Sequence, residues 1–306
     1  MAGCKVMTAT SGPGISLYSE QISFAVGSEI PLVIVDVQRL GPSTGSATRG
    51  ADGDVNFLRW GNSGGMPVIV LAPVNVADCF TLTVEAFNLA ERFRCPVFVA
   101  SNKEIAMTRE SVDLGALRIP EIVTRTAPQN DQDFLPFQVQ EGQSVPEFLP
   151  IGGDVLVRQT SSTHGSKGYI TIDHNEIAAV LKRLKTKIQT AVDEFTFYDS
   201  YTDDKAQTLI ISYGVSSRAA RAVFNDLKSS PHPVSLLVLK TLWPVPETVI
   251  RRAARGFKRV LVVEMNLGQY VHEIERILPA KPIELLAQMD GRLITPQAIK
   301  EKIVNG

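Results

Sequence analysis

The sequence predicts an α/β protein with parallel sheets, arranged as two units in succession. Three observations point to it. The run 31–37 is a near-continuous apolar strand, as expected for one buried on both faces. Segments of helical periodicity alternate with such runs, which argues for strand–helix–strand units. Gly- or Pro-bearing turns follow the strands, at Gly12-Pro13-Gly14, Gly41-Pro42 and Gly214. In an open parallel sheet, turns of this kind gather at the carboxyl ends of the strands, where ligands bind.

The elements follow in order. Residues 5–8 read as a short strand and 16–24 as the helix after the Gly12-Pro13-Gly14 turn. The segment 49–60 is polar and irregular with helical turns, and 67–72 is another buried strand. Asn75 or Asp78 caps a helix in which Leu82, Ala86, Leu89 and Phe93 share one face. Residues 96–100 form a fourth strand. From 108 to 168 the regularity fails, punctuated by Pro120, Pro128, Pro136, Pro146 and Pro150. A loop this long in a compact protein is usually functional or lies across a partner. We expect a subunit-facing arm that includes Phe148-Leu149-Pro150-Ile151, with a solvated linker as the alternative. Asp173 or Asn175 caps a helix through Glu194, with Ile177, Val180, Leu184 and Ile188 on one face and Lys and Arg on the other.

A second alternation begins at Gln207. Strands are expected at 208–213, 234–239, 259–264 and 283–286, with helices at 216–227, 246–254, 269–278 and 296–304. Ser216 or Ser217 is the expected cap of the first of these helices. The domains are therefore 1–195, carrying the irregular arm 108–168, and 196–306.

Composition excludes several classes of function. The 306 residues are 44% hydrophobic and 21% charged, the balance of a globular protein with real cores. A formal net charge of −1 gives no basic field for nucleic acid or anionic membrane. No apolar run approaches a membrane span, and the amino terminus shows no secretory pattern, so the expected compartment is the cytoplasm. Cys4, Cys79 and Cys95 are too few and too scattered for a disulfide framework, a zinc site or an iron–sulfur cluster. Each is expected to be a small core residue. Any metal centre for electron transfer then lies on another chain.

Two turns carry the chemistry. In Thr10-Ser11-Gly12-Pro13-Gly14, the small residues let backbone approach a ligand closely and turn sharply into a helix. In Val37-Gln38-Arg39-Leu40-Gly41-Pro42-Ser43-Thr44-Gly45, Arg39 places a fixed cationic fork just past a strand. A guanidinium held there matches a carboxylate or phosphate. Taken singly, either feature is as consistent with a tight turn or a surface ion pair. The four histidines form no set: His164 reads as a bystander on a polar loop, and His174, His232 and His272 as cap, loop and helix-surface residues.

Together these motifs resemble the alpha subunit of the 2-oxoacid:ferredoxin oxidoreductases, thiamine-diphosphate enzymes that decarboxylate 2-oxoacids. The resemblance runs along nearly the whole chain. It rests on Met7-Thr8-Ala9-Thr10-Ser11-Gly12-Pro13-Gly14, the run 31–45, Ala86-Phe87-Asn88-Leu89-Ala90-Glu91, Ser212-Tyr213-Gly214-Val215, Thr241-Leu242-Trp243-Pro244 and Val262-Val263-Glu264-Met265-Asn266-Leu267-Gly268-Gln269. It implies a thiamine-diphosphate pyrimidine-type parallel-sheet domain followed by a smaller, transketolase C-terminal-like doubly wound domain. Arg39 matches the family's substrate-binding arginine. Thr10, Ser11, Gly12 and Gly14 would line the cofactor cleft, and Ser43, Thr44 and Gly45 would continue its wall. Asp54 and Asn56 fall in a segment that borders the site in relatives. Glu264 and the Asn266–Gln269 turn read as structural.

The resemblance further implies that 2-oxoglutarate, the preferred 2-oxoacid, is converted to its acyl-coenzyme A while electrons pass to ferredoxin. The chain lacks the Gly-Asp-Gly…Asn pattern that binds magnesium and the cofactor diphosphate. A beta subunit is therefore expected to hold most of the thiamine diphosphate and its magnesium, with the iron–sulfur cluster also on a partner chain. Two departures stand out. Relatives carry, before the first strand, a segment with a substrate-proximal threonine and a glutamate for the cofactor's aminopyrimidine; this sequence begins at Met1-Ala2-Gly3-Cys4. The unit is on another polypeptide, the start lies elsewhere, or the subunit is catalytically incomplete. Many relatives have a histidine and an acidic residue where this chain has Gly61-Asn62-Ser63-Gly64-Gly65. The rival readings are a non-catalytic scaffold and another, transketolase-like thiamine enzyme. A dinucleotide dehydrogenase is disfavoured, since no Gly-x-Gly-x-x-Gly follows the first strand.

Overall fold

A computed structural model describes residues 1–117, 119–128 and 133–305. The first half contains β1 (Met7–Thr10), α1 (Gly12–Leu17), α2 (Ser19–Gly27), β2 (Leu32–Gln38), α3 (Val55–Trp60), β3 (Ile69–Leu71), α4 (Val76–Phe93), β4 (Pro96–Asn102) and α5 (Lys103–Met107). After the irregular stretch come α6 (His174–Gln189), β5 (Tyr198–Tyr201), β6 (Thr208–Tyr213), α7 (Ser216–Leu227), β7 (Val234–Leu239), β8 (Thr241–Trp243), α8 (Glu247–Ala253), β9 (Arg259–Glu264), α9 (Val271–Ile277), β10 (Ile283–Ala287) and α10 (Pro296–Asn305).

Two five-stranded sheets result, ordered β1-β2-β4-β3-β8 and β10-β9-β6-β7-β5. Each is parallel except for one antiparallel edge strand, β8 on β3 and β5 on β7. Neither edge strand was expected from sequence. β8 has only three residues, and it leaves the second sheet's run of chain to pair Trp243 with Val70 in the first sheet. A strand that short, whose partner lies far away in sequence, has no local periodicity to betray it.

The apolar faces explain the packing. Ile34, Val70 and Phe98 of the first sheet share one buried cluster with Ile211, Leu239 and Trp243, so the two sheets are joined by a common core. Leu82, Ala86, Leu89 and Phe93 of α4 cover the other face of the first sheet, as their spacing predicts. Val223 and Phe224 of α7 and Ile299 and Ile303 of α10 cover the outer face of the second. Asn75 is the cap of α4, its side chain accepting from the Asp78 amide at 2.8 Å, and Asp173 caps α6.

Several expectations are corrected. The first strand lies two residues later than 5–8, and its helix begins at once at Gly12, then breaks at Tyr18 into α1 and α2. α6 stops at Gln189, with a separate 3-10 turn at Val192–Phe195. Ser216 and Ser217 do not cap α7; both are buried. Cys4 is exposed, whereas Cys95 is buried. The cationic face of α6 is partly inward: Arg183 and Lys187 grip the buried Glu29, at 2.6 and 2.8 Å. Phe148, expected to face a partner, is buried within this chain beneath the guanidinium of Arg125. Arg94 fastens the same stretch by donating to the carbonyls of Pro136, Pro146 and Glu147. No helix among the described residues is long and apolar enough to cross a membrane.

Candidate functional site

β1 and β2 run parallel with Thr10 opposite Asp36, so the turns that follow them emerge side by side. Ser11 is extended, Pro13 sits at the start of α1 where its missing N–H is no loss, and the Gly14 amide donates to the Ser11 carbonyl at 2.6 Å. A Cβ on Gly14 would lie 1.9 Å from Thr10 Oγ1, so only glycine fits against that hydroxyl. A Cβ on Gly12 would touch Asp54 Oδ2 at 3.6 Å and Arg39 Cγ at 3.9 Å. Thr10, Ser11, Gly12, Gly14 and Arg39 are thus gathered at one sheet end, as the sequence suggested. Arg39 is half-buried, and its Nε is enclosed without a hydrogen-bond partner.

Ser43 and Thr44 are placed differently. Both are exposed on a turn closed by the Ser46 amide donating to the Leu40 carbonyl at 2.8 Å. Gly45 has φ +47°, and a Cβ there would meet the Leu40 carbonyl at 1.8 Å, which explains the glycine. They stand on the rim of the turn that carries Arg39. The Gly61–Gly65 turn packs on α2: the Ser63 amide donates to Ser23 Oγ at 2.9 Å. Ser63 and Gly64 help line a small cavity of about 150 Å³ with His164. His164 does not sit on a polar surface; it is buried, bonded through Nδ1 to the Ser162 carbonyl at 2.7 Å and packed on Phe137.

The residues that sequence reasoning undervalued lie behind the turns. The amide of Asp54 donates to Gln38 Oε1 at 2.9 Å, tying the segment before α3 to the end of β2. Asn102 holds Asp52 Oδ1 at 2.7 Å, and Asn266 donates to the Asp52 carbonyl at 3.0 Å. Asn266 is set in turn by Tyr213, which donates to Glu264 at 2.7 Å. Gln269 accepts from the Asn56 amide at 2.9 Å. Glu264 and the turn after it, read from sequence as merely structural, therefore brace the wall of the site from the second sheet.

This wall is crowded with carboxyls. Burial, then the neighbouring Asp54 and Asp52, hold the Asp36 carboxyl well above its ordinary range. Burial pushes Asp52 up to about 7 despite the Asn102 hydrogen bond, with Glu264 and Asp54 adding to it. Burial pushes Asp54 up to about 6. Both oxygens of Asp36 and Oδ2 of Asp52 and Asp54 are enclosed without hydrogen-bond partners. Among the described residues no three His, Cys, Asp or Glu side chains are gathered as ligands for a metal ion, so this wall does not fit the magnesium–diphosphate half of a cofactor. The glycine turn and the free guanidinium do fit a cleft wall against which a cofactor and an anionic substrate are laid.

Fold and site thus define one class: an α/β chain that sets a glycine turn and a strand-end arginine side by side at the carboxyl ends of parallel strands. Comparison with known proteins makes the class specific. Residues 1–182 match the family described as pyruvate flavodoxin/ferredoxin oxidoreductase, thiamine diphosphate-binding. Residues 206–299 match pyruvate:ferredoxin oxidoreductase core domain II. The 2-oxoglutarate synthase subunit KorA of Methanothermobacter marburgensis is 39% identical over 99% of this chain and 80% of its own length. The subunit of that name from Methanocaldococcus jannaschii is 34% identical over 99% and 81%. The ketoisovalerate oxidoreductase subunit VorB of Methanothermobacter thermautotrophicus is 33% identical over 99% and 78%. Among solved structures, the 2-oxoglutarate:ferredoxin oxidoreductase from Magnetococcus marinus, with 2-oxoglutarate, coenzyme A and succinyl-CoA bound, superposes with a TM-score of 0.89 at 30% identity. That match covers 99% of this chain and 53% of the other, so this chain spans about half of it. The chain belongs to the 2-oxoacid:ferredoxin oxidoreductase family, as its alpha-type subunit.

Proposed function

We propose that this chain supplies the substrate-carboxylate clamp and one wall of the cofactor cleft in a complex that oxidatively decarboxylates a 2-oxoacid, with 2-oxoglutarate preferred. Arg39 accepts the carboxylate next to the keto group, the feature every 2-oxoacid shares, and fixes the orientation of the bond to be broken. The observation that carries this is a guanidinium with an enclosed, unpartnered Nε beside Gly12, at the end of a parallel strand. Thr10, Ser11, Gly12 and Gly14 form the wall, Ser43 and Thr44 its rim. Thiamine diphosphate, when bound, supplies the carbanion chemistry that the side chains of this chain do not. Its diphosphate and magnesium are held mainly by a beta subunit and the iron–sulfur cluster by a partner chain, with coenzyme A as acyl acceptor and ferredoxin as electron acceptor. We place the complex in the cytoplasm, and the domain boundary near residue 195, with β8 reaching back across it.

The preference for 2-oxoglutarate rests on the KorA-named relatives and on the 2-oxoglutarate in the Magnetococcus marinus structure. The test is steady-state turnover of this chain co-expressed with its beta subunit on 2-oxoglutarate, 2-oxoisovalerate and pyruvate. The proposal expects the highest kcat/KM with 2-oxoglutarate and a similar proportional loss on all three in Arg39→Ala. No loss on any of the three, with the complex intact, contradicts the clamp. A stable complex that turns over no 2-oxoacid favours a scaffold instead.

A further inference from the structure

Asp54 begins α3 and occupies its N-cap position, yet its side chain caps nothing. A cap aspartate normally accepts from the amides of its own first turn. Here the carboxyl is turned toward Gly12, and its Oδ2 is enclosed with no partner. Arg39 meets Gly12 from the same side and likewise keeps an enclosed, unpartnered Nε. No ion pair joins the two among the described residues, so two side chains that approach one glycine each keep an enclosed polar atom without a partner, a donor on Arg39 and a carboxyl oxygen on Asp54. The backbone fixes this arrangement from both ends: the Asp54 amide is held by Gln38, the residue before Arg39, and the Gly53 carbonyl by Gln269.

Resting on the reading of Arg39 as the carboxylate clamp, we infer that Asp54 is a second substrate-positioning group, which donates a hydrogen bond from its protonated carboxyl to the bound 2-oxoacid anion. An ionised Asp54 would repel that anion, so binding carries a proton from solvent onto its carboxyl. The surroundings favour the neutral form. Asp36 faces it from β2, Asp52 from its own segment, and Glu264 at the end of β9 lies behind Asp52. α1 carries no titratable side chain. Arg39 is the cation nearest the pair's shared glycine, and the bound substrate takes up its charge. Burial already raises the Asp54 carboxyl to about 6, and an adjacent substrate anion raises it further.

The test uses the co-expressed complex and two readouts. First, KM for 2-oxoglutarate is measured from pH 5.5 to 8 in wild type, Asp54→Asn and Asp54→Ala. The wild-type KM is expected to climb above pH 6 by up to about tenfold per pH unit, relative to Asp54→Asn, whose amide donates at every pH. Asp54→Ala is expected to show a uniformly raised KM without that climb, and kcat follows KM in neither variant. Second, calorimetric titration with 2-oxoglutarate in buffers of different ionisation enthalpy is expected to show proton uptake near pH 7 in wild type and less in Asp54→Asn. Identical pH profiles in wild type and Asp54→Asn, or binding without proton uptake, overturn the inference. Arg39→Ala binding 2-oxoglutarate as tightly as wild type would instead overturn the clamp on which it rests.

Discussion

Arg39 is useful because of what it lacks. A guanidinium with a local carboxylate partner is committed to structure, whereas the Nε of Arg39 is enclosed with no hydrogen-bond partner, and the proposed clamp gives it one. Its planar fork, not its charge alone, makes the match to a carboxylate, so Arg39→Lys is expected to lose most of the effect. One lost charge-assisted hydrogen bond of about 2–3 kcal/mol corresponds to roughly 10² in kcat/KM, measured with the complex intact. The same close fit governs Gly14. Its would-be Cβ lies 1.9 Å from Thr10 Oγ1, so Gly14→Ala should destabilise by about 1–3 kcal/mol, and adding Thr10→Ala should recover a good part of it. Thermal melts of the three variants check this; equal melting temperatures for Gly14→Ala and wild type would show that the turn relaxes freely. At this scale the sequence was informative where backbone chemistry is special. Gly12, Gly14 and Arg39 were legible because glycine turns and a strand-end arginine are local signals. Asp36, Asp52 and Asp54 were not, because their effect arises from mutual burial, which no spacing in the sequence encodes.

Among the elements, α6 shows how charge on a helix misleads. Its lysines and arginines look solvated, yet Arg183 and Lys187 converge on Glu29, which is wholly buried in the turn before β2. Burial alone would push that carboxyl up; Lys187, Arg183 and Arg94 outweigh it and hold Glu29 at about 2. Glu29 therefore contributes stability that is complete above its ordinary value of about 4.5 and is lost as pH falls toward 2. Asp52, raised to about 7, acts in the opposite sense: its contribution is complete below about 4 and declines as pH climbs through 7. Glu29→Gln is expected to be destabilised at neutral pH by about 3–5 kcal/mol, since it strands the buried Lys187 and the half-buried Arg183, and to show a flatter acid limb. Asp52→Asn should flatten the limb between pH 4 and 7. Melting temperature against pH reads both, and an unchanged acid limb in Glu29→Gln would remove the ion cluster from the account. The Ile177, Val180, Leu184 and Ile188 stripe was plain in the sequence because period 3.6 marks a packed face; the paired charges beside it have no period.

Over the whole molecule, both sheets contribute to the proposed site. The first supplies the turns after β1 and β2, and the second reaches across through Tyr213, Glu264, Asn266 and Gln269 to hold residues 52–56. β8 joins the first sheet from within the second half, and the shared core seals the union. Strand alternation made the parallel α/β class and most strands legible, with 208–213, 234–239 and 259–264 matching residue for residue. What sequence could not show is that the turn Asn266-Leu267-Gly268-Gln269 closes on the other sheet, a contact spanning more than half the chain. Family membership makes the chain one subunit of a multi-subunit oxidoreductase. The roles proposed for its glycine turn and for Arg39 belong to that assembly.

We propose that Arg39 holds the substrate carboxylate. The most direct measurement is 2-oxoglutarate- and coenzyme A-dependent reduction of ferredoxin by this chain with its beta subunit, with Arg39→Ala alongside. Turnover is expected in the wild-type complex, with a loss of at least about 10² in kcat/KM in an Arg39→Ala complex of unchanged composition. Undiminished turnover by Arg39→Ala, or a stable wild-type complex that reduces ferredoxin with no 2-oxoacid, would contradict it.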